Sequence, residues 1–256
     1  MPKRFNCKNE KEMIEEIGNR IIVFDSLTGS DNYNLNTKDS DKDKKVFIMP
    51  NVDDIYNHKV FTKSYNIECN NKDYSVYDIR RLPELLCKSN CNFMEILFTI
   101  SKTINPYFYK EIEEIYDMKD EIAKVNLPFL YTSLYNNAIT FYNEYSQKGN
   151  AKSGSHCLRI LRTLQKFARN DFMDFKKALC FDGSPRDLIM YIKSREYDET
   201  KYSFSSIKIH KLLSDEFKKA KKYESKYKQY EYVQDTEDKL RKIVKDMVLK
   251  YIKDIL

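Results

Sequence analysis

The chain changes hydrophobic rhythm near its middle. Before about residue 106, apolar residues come in short runs. Ile21 to Phe24 and Val46 to Met49 read as buried strands, Lys59 to Glu68 alternates loosely enough for another, and Asp73 to Tyr77 is a short β-prone run. From about Tyr107 the spacing becomes three-and-four, which predicts helices over 112–124, 130–147, 155–169, 171–179, 185–194, 206–230 and 236–256, punctuated by Gly149, Gly154 and Gly183. In the last of them Leu240, Ile243, Val244, Met247, Tyr251 and Ile255 share one face. Shorter helical signals lie earlier. Glu10 to Asn19 puts Met13, Ile14 and Ile17 on one side, Arg80 to Lys88 tolerates Pro83 if it lies in the first turn, and Asn92 to Thr99 is amphipathic around Glu95. Pro50 to His58 reads as a loop. The expected fold class is therefore α+β, with a small mixed-sheet domain over 1–106 followed by a helical bundle over 107–256.

Between the first two apolar runs lies the chemistry. Gly29-Ser30 makes a tight turn, and a polar loop then leads to Asp41-Lys42-Asp43. In extended chain, residues two apart point the same way, so Asp41 and Asp43 share a face. Paired carboxylates suit hard Mg²⁺ or Mn²⁺, and a glycine turn followed by a hydroxyl suits close approach of phosphate. A third carboxylate from a neighbouring strand completes a two-metal nucleotidyl-transfer plan. Asp73 is the first candidate; Asp78, where strand gives way to helix, is better placed as an N-cap.

These residues, with Tyr33-Asn34-Leu35, Val46-Phe47 and the segment Asn92 to Phe98, resemble nucleotidyltransferases of the DNA polymerase beta superfamily, and among them the group associated with RNA repair. The likeness covers the first hundred residues and continues faintly through Lys152, His156 and Arg159. It implies Asp41, Asp43 and Asp73 as catalytic metal ligands for two Mg²⁺ (or Mn²⁺) ions. It further implies nucleotide contacts from Gly29, Ser30, Arg81, Lys152, His156 and Arg159, with a nucleoside triphosphate as substrate. Glu95 is expected to pair with Arg80 or Arg81 and hold the site. The chain departs from the family where Asn34 and Lys45 replace glycines, and where Ser89-Asn90-Cys91-Asn92 replaces a Gly-Asn-Pro turn.

Composition narrows the picture. At 256 residues, 41% hydrophobic and 14% aromatic, the chain suits a folded protein. No secretory signal is visible and the longest nearly apolar run, Phe93 to Ile100, cannot span a bilayer, so a cytoplasmic location without membrane insertion is expected. The six cysteines lack framework spacing, and no histidine lies near Cys87 and Cys91 to complete a zinc site. Richness in Lys, Asn, Ile and Tyr suggests a low-GC bacterium or phage. Residues 201–256 hold 15 Lys and Arg against 9 Asp and Glu, which accounts for the whole net charge of +6. Tyr223, Tyr227 and Tyr230 among those lysines either stack on single-stranded nucleic acid or pack inward.

Three readings follow. The first is transfer of a nucleoside monophosphate to an RNA (tRNA-like) 3′ end. The second is the same chemistry on a protein acceptor, as an AMPylating-type toxin-antitoxin or defence component. The third is a non-enzymatic binding module in which Lys38 to Lys45 is a solvated charged loop.

Overall fold

The computed structural model describes residues 4–18, 20–38, 40–67, 72–194 and 206–255. Six strands, β1 (Arg4–Cys7), β2 (Ile22–Thr28), β3 (Lys42–Ile48), β4 (Thr62–Ile67), β5 (Lys72–Asp78) and β6 (Lys102–Ile104), form one sheet in the order β1-β4-β5-β3-β2-β6. The sheet is mixed: β1 with β4 and β3 with β5 are parallel, and the remaining pairs are antiparallel. The edge strands β1 and β6 have 4 and 3 residues, too few to show an alternating pattern. The central strand β3 starts at Lys42 rather than Val46. Its polar first half is extended because ladders to β2 and β5 grip it from both sides.

The helices are α1 (Glu10–Glu16), α2 (Val52–Tyr56), α3 (Leu82–Cys87), α4 (Cys91–Met94), α5 (Tyr109–Asp117), α6 (Lys119–Ile122), α7 (Leu127–Lys148), α8 (Ala151–Arg169), α9 (Phe175–Leu179), α10 (Gly183–Lys193), α11 (Ser206–Lys221), α12 (Glu224–Lys228) and α13 (Gln234–Ile255). Helix α2 lies where a loop is expected. Asn51 and Asp54 form a reciprocal capping box, and Arg20 reaches across to grip Asp54 with bonds of 2.6 and 2.7 Å. Asp78 caps the 3-10 turn Ile79–Arg81 by accepting from the Arg80 N–H, and Pro83 falls in the first turn of α3. The predicted helix over 206–230 is broken between α11 and α12. Within α12 Tyr227 turns inward, fully buried, and donates to the Leu164 carbonyl, so this tyrosine belongs to the core.

Each sheet face has its own apolar core. On one, Met13 and Ile17 cover Val46, Ile48, Tyr65, Ile67, Tyr74 and Val76. On the other, Phe24 and Phe47 join Leu86 and Ile96 and run without a break into Leu130, Leu158, Leu161, Leu240 and Met247 of the helical half. At roughly 2 kcal/mol per fully buried large side chain, that shared core is what holds sheet and helices together. Polar bonds set the finer alignment. The segment after β2 is tied to the region around α10: Phe181 N–H donates to Tyr33 O (3.1 Å), and the Asn34 amide to Phe181 O (3.0 Å) and Asp182 (2.8 Å). Arg186 donates in return to Asn34 O (2.7 Å), and Lys193 to Leu35 O (2.7 Å).

Candidate functional site

Strand register builds the first wall of the site. Thr28 pairs with Asp43, and Asp43 pairs with Asp73, so three adjacent strands present these residues in one row. Asp41 stands just before β3, exposed, two residues from Asp43. All three aspartates line a cavity of about 1300 Å³ between the sheet and α7, α8 and α10. Burial, together with the neighbouring charge of Asp73, pushes the Asp43 carboxyl up from 3.8 to about 6, against the opposing pull of Lys45. Like charges are thus crowded at the starts of β3 and β5. Among the described residues no three His, Cys, Asp or Glu side chains are gathered as a ready-made metal site. The chemistry of the donor set nevertheless fits hard divalent cations, which take carboxylate oxygens and would relieve that repulsion.

The Gly29-Ser30 turn closes over this row. Gly29 has φ +85°, and a Cβ there would lie 3.2 Å from Asp43 Oδ2, so glycine serves both the backbone and the carboxylate. Its N–H, expected to be open to a ligand, donates instead to Glu95 Oε2 (3.1 Å). The Ser30 N–H and hydroxyl have no partner among the described residues and remain available. Glu95 is 3% exposed and does not meet Arg80 or Arg81. It also accepts from the Tyr33 hydroxyl (2.5 Å) and pairs with Lys45 (3.6 Å). Burial and the Glu95 charge hold the Tyr33 phenol far above its ordinary value, so it stays a donor. Lys45 is therefore more than a departure from the family pattern: it neutralises the buried acid under the turn. Asn34, where the resemblance implies a glycine, holds φ +58°, a left-handed conformation that Asn tolerates.

The second wall is cationic. Asn150 caps α8 by accepting from the Lys152 and Ser153 N–H groups, which fixes where the helix starts. A Cβ on Gly154 would meet the Tyr145 ring at 3.0 Å, so α7 and α8 pack closely there. Lys152, His156 and Arg159 then line the cavity opposite the aspartates, as one helix face. Arg159 is 8% exposed, lies 4.0 Å over the Tyr33 ring, and forms no ion pair or hydrogen bond among the described residues. A buried guanidinium without an anion is costly unless a ligand supplies one. His156 is held down to about 3 by burial and by Arg159, Lys152 and Lys193, so its imidazole is neutral at pH 7.

Arg81 is placed elsewhere. It donates to the Thr62 hydroxyl (3.0 Å) and does not line the cavity. The reason is the length of β5: Asp73 is at the cavity, and five residues of strand carry the chain roughly 17 Å away before the 3-10 turn that Arg81 ends. Arg80 pairs there with Asp78 (2.6 Å). Sequence reasoning missed Lys193, Asn137 and Phe141, which also line the cavity. Each sits in a helix whose pattern reports only its buried side, so no sequence signal marks them.

A model of the RNA repair pathway DNA polymerase beta family matches residues 6–240. No curated protein matches the chain. Among the described residues no helix is long and apolar enough to cross a membrane.

Proposed function

The chain belongs to the RNA repair pathway DNA polymerase beta family, polymerase-beta-type nucleotidyltransferases linked to RNA repair, and on that footing we propose that it transfers a nucleoside monophosphate from a nucleoside triphosphate to an RNA 3′ hydroxyl. One observation carries the reading: a single cavity faces in-register Asp43 and Asp73 on one side and the buried, unpaired Arg159 on the other. A nucleoside triphosphate with bound divalent cations has that polarity, with positive metal toward carboxylates and phosphate oxygens toward cations.

Asp41, Asp43 and Asp73 would hold two Mg²⁺ or Mn²⁺ ions. Bound there, the ions would supply charge neutralisation for the phosphates and a lowered pKa for the attacking hydroxyl. The chain's own residues do the rest. Ser30 offers its N–H and hydroxyl to the triphosphate, while Arg159 and Lys152 take phosphate oxygens. Glu95 keeps the turn at a fixed height above Asp43 through its bonds to Gly29 and Tyr33. Such a site works by positioning and preorganised charge, with little covalent chemistry for side chains.

The test is incubation with each α-labelled nucleoside triphosphate, Mg²⁺ or Mn²⁺, small RNA and cell lysate, followed by separation of RNA from protein. Label should enter RNA and vanish with Asp41→Asn. Label entering protein instead would replace the RNA acceptor, and no transfer by the wild type would overturn the enzyme reading.

A further inference from the structure

The triphosphate accounts for only part of the cavity. Its lining also holds a group of different character: Phe141 and Asn137 lie one helical turn apart on α7, Phe141 against His156 of α8, and Ile160, Ile189 and Met190 line the same cavity. The Phe141 and His156 rings meet edge to face at 5.0 Å and 88°. Neither His156 nitrogen and no amide atom of Asn137 has a hydrogen-bond partner among the described residues, although both side chains are half-buried. Flat apolar surface next to unpaired donors and acceptors is what a heterocyclic base requires. Lys193, from the end of α10, stands close enough to Lys152 and Arg159 for their charges to push its ammonium below its ordinary value, in addition to burial.

The geometry points to a nucleobase subsite for the incoming nucleoside triphosphate, built from Asn137, Phe141 and His156, with Lys193 joining Lys152 and Arg159 on the phosphates. This assignment rests on the nucleotidyl-transfer reading above and says which end of the nucleotide each helix holds. A neutral His156 matters here. An imidazole that stays unprotonated beside three cations keeps one nitrogen as an acceptor and one as a donor, so it can read a base edge rather than add to the phosphate clamp.

Calorimetry of the full-length protein with Mg²⁺ and, separately, ATP, GTP, CTP, UTP and inorganic tripolyphosphate tests it. Phe141→Leu keeps apolar volume but removes the ring. It should weaken the preferred nucleoside triphosphate by about tenfold, the scale of one lost base stack, and leave tripolyphosphate binding unchanged. Lys193→Ala should weaken both. His156→Gln should change the ratio of affinities among the four nucleotides. Equal loss for tripolyphosphate in Phe141→Leu would mean a structural role and overturn the subsite. So would nucleotide affinities that Phe141→Leu leaves untouched; in that case wild-type binding of nucleotides still supports transfer. A wild type that binds neither nucleotides nor tripolyphosphate would overturn both readings.

Discussion

The two walls of the cavity are made by different rules. The acidic wall is set by strand register: Thr28, Asp43 and Asp73 face the same way because three strands are laddered together, and no helix has to be placed for that to hold. The cationic wall is set by packing: Lys152, His156 and Arg159 reach the cavity because Asn150 starts α8 at a defined residue and Gly154 lets α7 approach. A register error moves every side chain of a strand to the other face, whereas a packing error moves a helix face by degrees. The acidic wall is thus all-or-none, and the cationic wall is adjustable. On the proposed function, charge chemistry that tolerates no misplacement would sit on the first wall, and substrate selection on the second.

The largest expected effect breaks the acidic wall alone. Asp43→Asn should cut transfer by at least about a hundredfold, the scale of losing one preorganised charge stabiliser, with an unchanged circular dichroism spectrum. Retained activity would remove Asp43 from the metal set. Next comes the piece joining turn and wall. Glu95→Ala leaves the Gly29 N–H and Tyr33 hydroxyl without their acceptor and Lys45 without its counter-ion. Urea unfolding should show a loss of about 3 kcal/mol, and Glu95→Gln, which can still accept both bonds, clearly less.

A third measurement sets the walls against each other by pH. In metal-free buffer the native Asp43 takes up a proton near pH 6, and the unfolded chain only near 3.8, so its contribution to stability rises as pH falls through that window. His156 behaves oppositely. The unfolded imidazole protonates near 6.5 and the native one only near 3, so stability is lost as pH falls below 6.5. Melting curves from pH 7 to 4 should therefore become less favourable at low pH in Asp43→Asn, and more favourable in His156→Gln, relative to wild type. Same-sign changes in the two variants would contradict the environments described. The smallest effect is a control. Arg81→Ala should leave nucleotide affinity unchanged, while Arg159→Ala should weaken it by about tenfold, as loss of a charged hydrogen bond does.

The contrast between walls also explains what the sequence reveals. Gly29-Ser30, Asp41, Asp43 and Asp73 are legible because a turn and a period of two fix their geometry locally. The partners of Glu95 are not. Lys45 reaches it from the same strand face as Asp43, and Tyr33 from the loop beyond the turn; both depend on how a 3-10 turn at Glu95–Phe98 docks under β2. Arg81 looks near in sequence to Asp73, yet the strand between them carries it off. Only one of the two expected glycines is intelligible through its dihedral angles: Asn34 holds φ +58°, a glycine-like conformation, whereas Lys45 lies in strand β3; Ser89, in the segment expected as a Gly-Asn-Pro turn, also holds positive φ, +47°. The order of elements and the change from strands to helices are legible from periodicity, whereas β1, β6 and α2 are too short for it to register.

The hydrogen bonds between the segment after β2 and α10 bear on synthesis. Asn34 finds Asp182, and Leu35 finds Lys193, across 148 and 158 residues of chain. The aspartates and the glycine turn leave the ribosome early, but the loop beside them gains its partners only when α10 has been made, roughly ten seconds or more later. A nascent chain thus carries the acidic wall of the cavity well before the cationic one. If the chain transfers nucleotides as proposed, that competence would have to wait until α10 is made, sparing neighbouring RNA from a partly built enzyme.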